Sequence, residues 1–144
     1  MNVAESMEPS AVLGACESQI RLPYGLLGFE QILDFVLVAN PGEEPFQWLQ
    51  VKDDPNLAFL VLSPFTVIPD YRPDLPEGEI AFLKLKGPED AVVFNIVTMT
   101  GMGQATLNLK GPIVVNRHTQ VGRQVIPTNA AQYSVCHPLS TSVA

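Results

Sequence analysis

Apolar residues recur along this chain in short runs, most of them alternating with polar positions and each bounded by Gly, Pro, Asn or Asp. That punctuation predicts strands over residues 19–22, 34–39, 46–51, 57–62, 91–99, 105–110, 113–116, 123–126 and 133–136. Asp53-Asp54-Pro55-Asn56 has the composition of a type I turn, which makes residues 46–62 a hairpin. Breaks at residues 87–90 and 101–103 isolate the run between them, so the centre of the chain is a meander. Residues 91–97, A-V-V-F-N-I-V, are apolar almost throughout, as in a strand covered on both faces or lying inside a closed barrel. Ala105, Leu107 and Leu109 alternate with Thr106, Asn108 and Lys110, giving that strand one wet face.

One segment is ambiguous. Pro76 and the acidic Glu77 and Glu79, with Ile80 and Leu83 three apart, favour a short helix, while alternation at Phe82, Lys84 and Lys86 leaves a strand open. The fold expected is therefore all-β: a small, compact, antiparallel β-barrel-like domain with at most one or two short helices. Residues 1–18 carry no sustained period and are expected to form a flexible N-terminal leader before a single domain over 19–144.

Composition narrows the function. A chain of 144 residues with 47% hydrophobic content is the size of one domain. Its net charge of -7 disfavours a partner bound through phosphates, so direct nucleic-acid binding is not expected. An acidic surface serves solubility and steers basic protein partners. No apolar run reaches transmembrane length and no basic segment opens the chain, so a cytoplasmic protein without membrane contact is expected. Leu13-Gly14-Ala15-Cys16 has the form of a lipoprotein cleavage box, but Glu5 and Glu8 stand where an apolar segment would be needed.

Candidate chemistry is sparse. Cys16 and Cys136 are the only cysteines, without metal-ligand spacing; they read as isolated thiols, with a disulfide joining the two ends left open. Cys136 and His137 are sequence neighbours, which on a strand point to opposite faces, and a metal held by His118, His137 and Cys136 would need a fourth ligand and suitable spacing. The acid pairs Glu43-Glu44, Asp53-Asp54, Glu77 with Glu79, and Glu89-Asp90 all fall in turn sequence. No phosphate loop is present. No catalytic residue, metal site or cofactor is expected, which leaves a binding protein. The alternatives are a small-molecule-binding β-barrel with an internal pocket, and a hydrolase using Cys136 or an acid pair.

Several ordered motifs carry an identity: R-L-P-Y-G-L-L-G-F-E, P-F-Q-W-L-Q, L-A-F-L-V-L-S-P-F, the P-D-Y step ending at Tyr71, I-V-T, and T-L-N-L-K-G-P-I-V-V-N followed by G-R-Q-V-I. Through them the sequence resembles the FliW family of bacterial flagellar assembly factors over about residues 21–139. It departs from the family at Leu27, where a proline is usual, and at Gly111, where an alanine is common. The resemblance implies a non-catalytic, cytoplasmic β-barrel protein that binds newly made flagellin and the RNA-binding translational repressor CsrA. Flagellin that accumulates captures such a protein, CsrA is released, and flagellin translation falls. Phe29, Leu60, Pro64, Leu109 and Pro112 of these motifs read as core positions or breaks, and Asn108 and Asn116 as side chains that satisfy backbone groups. For the partner-binding surface the proline-stiffened loop over 65–79 is nominated, with Asp70, Tyr71, Arg72, Asp74 and Glu77 combining an aromatic anchor with charges. Its other reading is a surface connection with Tyr71 packed down as a lid. A monomer is expected.

Overall fold

The computed structural model describes residues 16–100 and 103–139. Its strands are β1 (Cys16–Arg21), β2 (Asp34–Ala39), β3 (Phe46–Val51), β4 (Asp54–Leu62), β5 (Ala91–Met99), β6 (Ala105–Leu107), β7 (Ile113–Asn116), β8 (Gly122–Gln124) and β9 (His137–Pro138), with one α-helix, α1 (Glu77–Leu83). The strands join in one sheet in the order β1-β2-β3-β4-β5-β6-β9, with β7 pairing β5 and β8 pairing β7. All of these pairings are antiparallel, and the sheet curls into a half-barrel. The helix favoured by the sequence forms, with Pro76 preceding its first turn and Lys84 ending it in the left-handed conformation at φ 58°.

Several boundaries differ from expectation for local reasons. The hairpin turn is confined to Lys52 and Asp53, because a register shift between Gln50 and Val51 brings Asp54 opposite Val51 and starts β4 there. β1 begins at Cys16, so the last three residues of the expected leader belong to the sheet, and residues 1–15 lie outside the described chain. Residues 133–136 are no strand. A 3-10 turn over Ala130–Gln132 delivers the chain so that the Ser134 carbonyl accepts from Leu109 N–H, and pairing with β6 begins only at His137.

β5 lacks alternation because both of its faces are buried. Ala91, Val93 and Val97 pack with Leu62, Tyr71 and Leu83 in one cluster, while Phe94 packs with Phe35, Leu49 and Val61 in the other. The same division splits β7, where Val114 belongs to the first cluster and Ile113 and Val115 to the second. The curled sheet wraps the second cluster, and the long connection over residues 63–90, with α1, covers the first.

β6 and β7 run along β5 as one interrupted strand. Leu107 lies opposite Val97 and Ile113 opposite Phe94, so residues 108–112 bulge out against Asn95 and Ile96 alone. The bulge carries carbonyls into the interior, and buried side chains receive them. Asn95, fully buried, donates from Nδ2 to Asn108 O at 2.7 Å; the buried Tyr71 hydroxyl donates to Leu109 O at 2.7 Å; Gln124 Nε2 donates to Gly111 O at 3.0 Å. Asn108 Oδ1 accepts from Lys110 N–H at 3.0 Å, as its side chain was expected to do. Burial pushes the Tyr71 hydroxyl up to about 12, which keeps it a donor at any physiological pH.

A second polar tie holds α1 to the sheet. Asn116, 3% exposed, donates from Nδ2 to Leu83 O at 2.8 Å and accepts His118 N–H at 2.8 Å. Beside it, Asp90 Oδ2 accepts from Lys86 N–H at 2.9 Å and Oδ1 lies 3.0 Å from His118 Nε2. The Lys86 amide first, and then the His118 contact, hold the Asp90 carboxyl below its ordinary value.

Two predictions follow from these ties. Tyr71→Phe keeps the ring but strands the buried Leu109 carbonyl, and is expected to lower unfolding free energy in urea by about 1–3 kcal/mol. Asp90→Asn is expected to cost stability at neutral pH. Because the folded-state carboxyl titrates below its ordinary value, the contribution is present above that ordinary value and is lost as pH falls through the lowered one, so the gap to wild type should close as unfolding is measured at progressively lower pH.

Candidate partner-binding surface

β4 and β5 share two residue pairs, Val61 with Ile96 and Leu62 with Asn95. Beyond these the strands part, β4 keeping to β3 down to Asp54 and β5 to β6 up to Met99. A cleft of about 420 Å³ opens between residues 58–60 and 96–99, and every side chain lining it is uncharged. The loop between β1 and β2 forms its lip. Leu26 is buried at the base, while Leu27 and Phe29 are 63% and 41% exposed; Met99, 58% exposed, stands on the β5 side.

The lip is held by local geometry. Gly25 adopts φ +64°, and a Cβ there would sit 2.5 Å from Phe29 O, so only glycine serves. Phe29 N–H donates to Leu26 O at 2.7 Å, and its ring meets Phe59 edge-on with centroids 5.0 Å apart. Leu27 N–H donates to Gln124 Oε1 at 2.9 Å, a bond that proline could not make. Glu30 accepts Gly28 N–H at 3.0 Å, and that amide holds its carboxyl below the usual glutamate value. Phe29, expected in the core, thus lies at the cleft mouth; Leu109, Pro64 and Pro112 are buried as expected and Leu60 is half-buried.

The nominated loop behaves differently from an exposed anchor. Tyr71 is fully buried, packed edge-on against Tyr133 at 4.8 Å, with its hydroxyl committed to the bulge. It is the lid of its cluster, because a phenol that finds a buried carbonyl is more stable inside than in solvent. Arg72 N–H donates to the Tyr133 hydroxyl at 3.1 Å, and Arg72 O accepts from Asn129 Nδ2 at 2.8 Å. Asp74 N–H donates to Asn129 Oδ1 at 2.9 Å and its Oδ2 accepts from Thr128 Oγ1 at 3.0 Å. These residues clasp the loop to the segment after β8. Asp70 and Glu77 are exposed, Glu77 on the first turn of α1 beside a second open groove of about 490 Å³ that includes Ile80, Ala81 and Lys84.

Sequence reasoning missed two features. Leu27 sits between Gly25 and Gly28, both at positive φ, and that glycine spacing marks a raised tip rather than a core segment. Arg123 stacks on Tyr24 at 4.5 Å and Phe82 at 5.6 Å, with Nη1 3.1 Å from Glu79 Oε1. Nothing in the linear order links those four.

Catalytic machinery does not assemble from the candidate residues. Cys136 is a free, exposed thiol 3.6 Å from Ser134 Oγ, and His118 is turned to Asp90. Among the described residues there is no group of three or more His, Cys, Asp or Glu able to hold a metal, and no helix long and apolar enough to cross a membrane. Side chains of the two clusters occupy the interior, and both grooves open to solvent.

Comparison with known proteins gives a consistent result. The family model described as FliW protein matches residues 8–139. A flagellar assembly factor FliW of Moorella thermoacetica is 36% identical over 122 residues, covering 83% of this chain and 77% of that protein. One from Leptospira interrogans is 33% identical over 147 residues, covering 100% of this chain and 97% of the relative. A crystal structure of a flagellar assembly factor FliW superposes with a TM-score of 0.75 at 33% identity, covering 88% of each chain.

The exposed side chains at the cleft mouth should be dispensable for folding. Leu27→Ser and Met99→Ser are each expected to change unfolding free energy by no more than about 0.5 kcal/mol, whereas Leu107→Ala, in the core, should cost about 2–5 kcal/mol in the same urea titrations.

Proposed function

The chain belongs to the FliW family of flagellar assembly factors, and from that premise we propose that it is a non-catalytic regulator of flagellum assembly. In this reading it binds flagellin before export and antagonises CsrA by partner switching, in the cytoplasm where all three meet. The observation that carries it is the cleft between β4 and β5, an uncharged depression with Leu27, Phe29 and Met99 exposed around it. A chaperone-like binder of an unassembled subunit requires such a surface. A flagellin end segment, disordered when free, recovers part of its ordering cost by burying apolar side chains there.

The contact with CsrA draws on charge. A protein of net charge -7 is attracted to a basic RNA-binding repressor and, once bound, adds negative potential beside the path of the RNA phosphates. Asp70, Arg72 and Glu77 are the exposed charges of the nominated loop and are assigned to this contact; Asp74 supports them through its bonds to Thr128 and Asn129. Flagellin and CsrA then oppose each other through one shared coupling free energy, equal in both directions.

On a sizing column the purified protein should co-elute with flagellin and, separately, with CsrA, and flagellin added to the CsrA complex should release CsrA. Leu27→Asp combined with Met99→Asp should weaken flagellin binding about tenfold or more, through loss of apolar burial, while CsrA binding holds. Failure to co-elute with either partner would sink the reading.

A further inference from the structure

The cleft has a feature that side-chain burial alone does not use. The Ile96 carbonyl accepts Asn108 N–H at 3.0 Å, so Ile96 turns its backbone groups toward β6. Alternation along an antiparallel strand then aims those of Asn95, Val97 and Met99 at β4, and those of Leu62, Leu60 and Ala58 at β5. The β4–β5 ladder ends at the pair Val61 with Ile96, so Ala58 and Met99 lie past its last pair with their N–H and C=O groups aimed into the cleft. Among the described residues, β4 from Asp54 to Ala58 is a free sheet edge.

We propose that the cleft takes its occupant as an added β-strand: an extended protein segment that hydrogen-bonds along the β4 edge and places alternate apolar side chains against Leu27, Phe29 and Met99. A helix could fill the same volume but satisfies its own backbone, leaving the edge groups of Ala58 and Met99 unused. The chemistry of the segment follows from the cleft ends. At the hairpin end of β4 the exposed Asp53 and Asp54 outnumber the exposed Lys52, and Glu30 follows Phe29 at the lip, whereas the walls carry no charge. The fitting segment is therefore apolar at alternate positions and basic at the end that meets Asp53 and Asp54. A second copy of this chain is disfavoured as occupant, because each copy carries a net charge of -7 and would bring its own Asp53 and Asp54 to the same edge. This inference rests on the cleft being a partner site, and not on which protein supplies the segment.

The test uses the peptide Lys-Lys-Val-Thr-Val-Thr-Val and the full chain labelled for NMR. Expected are amide shifts at Ala58, Leu60 and Met99, intermolecular contacts between α-protons across the new strand pair, and loss of binding when the peptide is N-methylated at alternate positions. Ala58→Pro, which removes an edge donor at a position where a strand tolerates proline, should weaken binding about fivefold or more. Met99→Pro on the facing wall should do the same and serves if the first variant fails to fold. Absence of binding at millimolar peptide, or equal binding of the N-methylated form, overturns strand addition. Flagellin supplies the separate arm. If the peptide adds as a strand and flagellin does not co-elute, only the flagellin assignment falls; if flagellin binds with helical carbon shifts in its docked segment, strand addition falls.

Discussion

Two hydrogen bonds into the 108–112 bulge set the terms for the rest of the molecule. A chain that leaves the ladder inside a core carries its carbonyls with it, and each needs a donor that can be buried beside it. Tyr71 and Asn95 supply those donors from opposite directions, one from a loop and one from β5 itself. Tyr71 can reach Leu109 only if residues 63–76 fold down over the first core cluster, and that cover in turn carries α1 into place. The loop is thus shaped by a backbone obligation 38 residues away.

The same obligation separates the structural surface from the working one. β5 is committed along its β6 and β7 side by the interrupted strand and buried on both faces, so nothing more can be asked of it there. Its other edge is paired to β4 only at Asn95 and Ile96, the two residues that face the bulge on the opposite side. Past that point β4 and β5 are free to part, and the opening is walled by strands still paired to β3 and β6 on their outer sides. A cleft built between paired strands holds its shape without an occupant, which lowers the ordering cost left to the partner.

How far the sequence disclosed this depends on the range of the interaction. Strands 34–39, 46–51, 91–99 and 113–116 were legible to the residue, and α1 nearly so, because period and punctuation are local properties. The bulge was not. T-L-N-L-K reads as continuous alternation through Lys110, and nothing local says that Asn108 and Leu109 must turn their carbonyls to Asn95 and Tyr71. Tyr71 stays open between anchor and lid for the matching reason: flanked by Asp70 and Arg72 it can read as exposed, and the carbonyl that makes it a lid is distant in sequence. Leu27 and Phe29 went the other way, apolar residues in a motif that suggests core, lifted out by the backbone that Gly25 and Gly28 permit. The part of the cleft made by strand divergence leaves no mark in any single segment.

Gln124 joins these regions by a single side chain, accepting from Leu27 N–H at the lip and donating to Gly111 O at the bulge. With proline at position 27 the lip would be stiffened in the unfolded chain and the oxygen of Gln124 would face nothing there. With leucine, the lip is anchored to the far side of the barrel by one neutral hydrogen bond, worth about 0.5–1.5 kcal/mol. That bond adds to the burial of Leu26 and the Phe29–Phe59 ring contact, which tie the lip to the second core cluster. The position of the cleft lip is thus set in part by the carboxamide that also steadies the bulge, so a change at Gln124 reaches both at once.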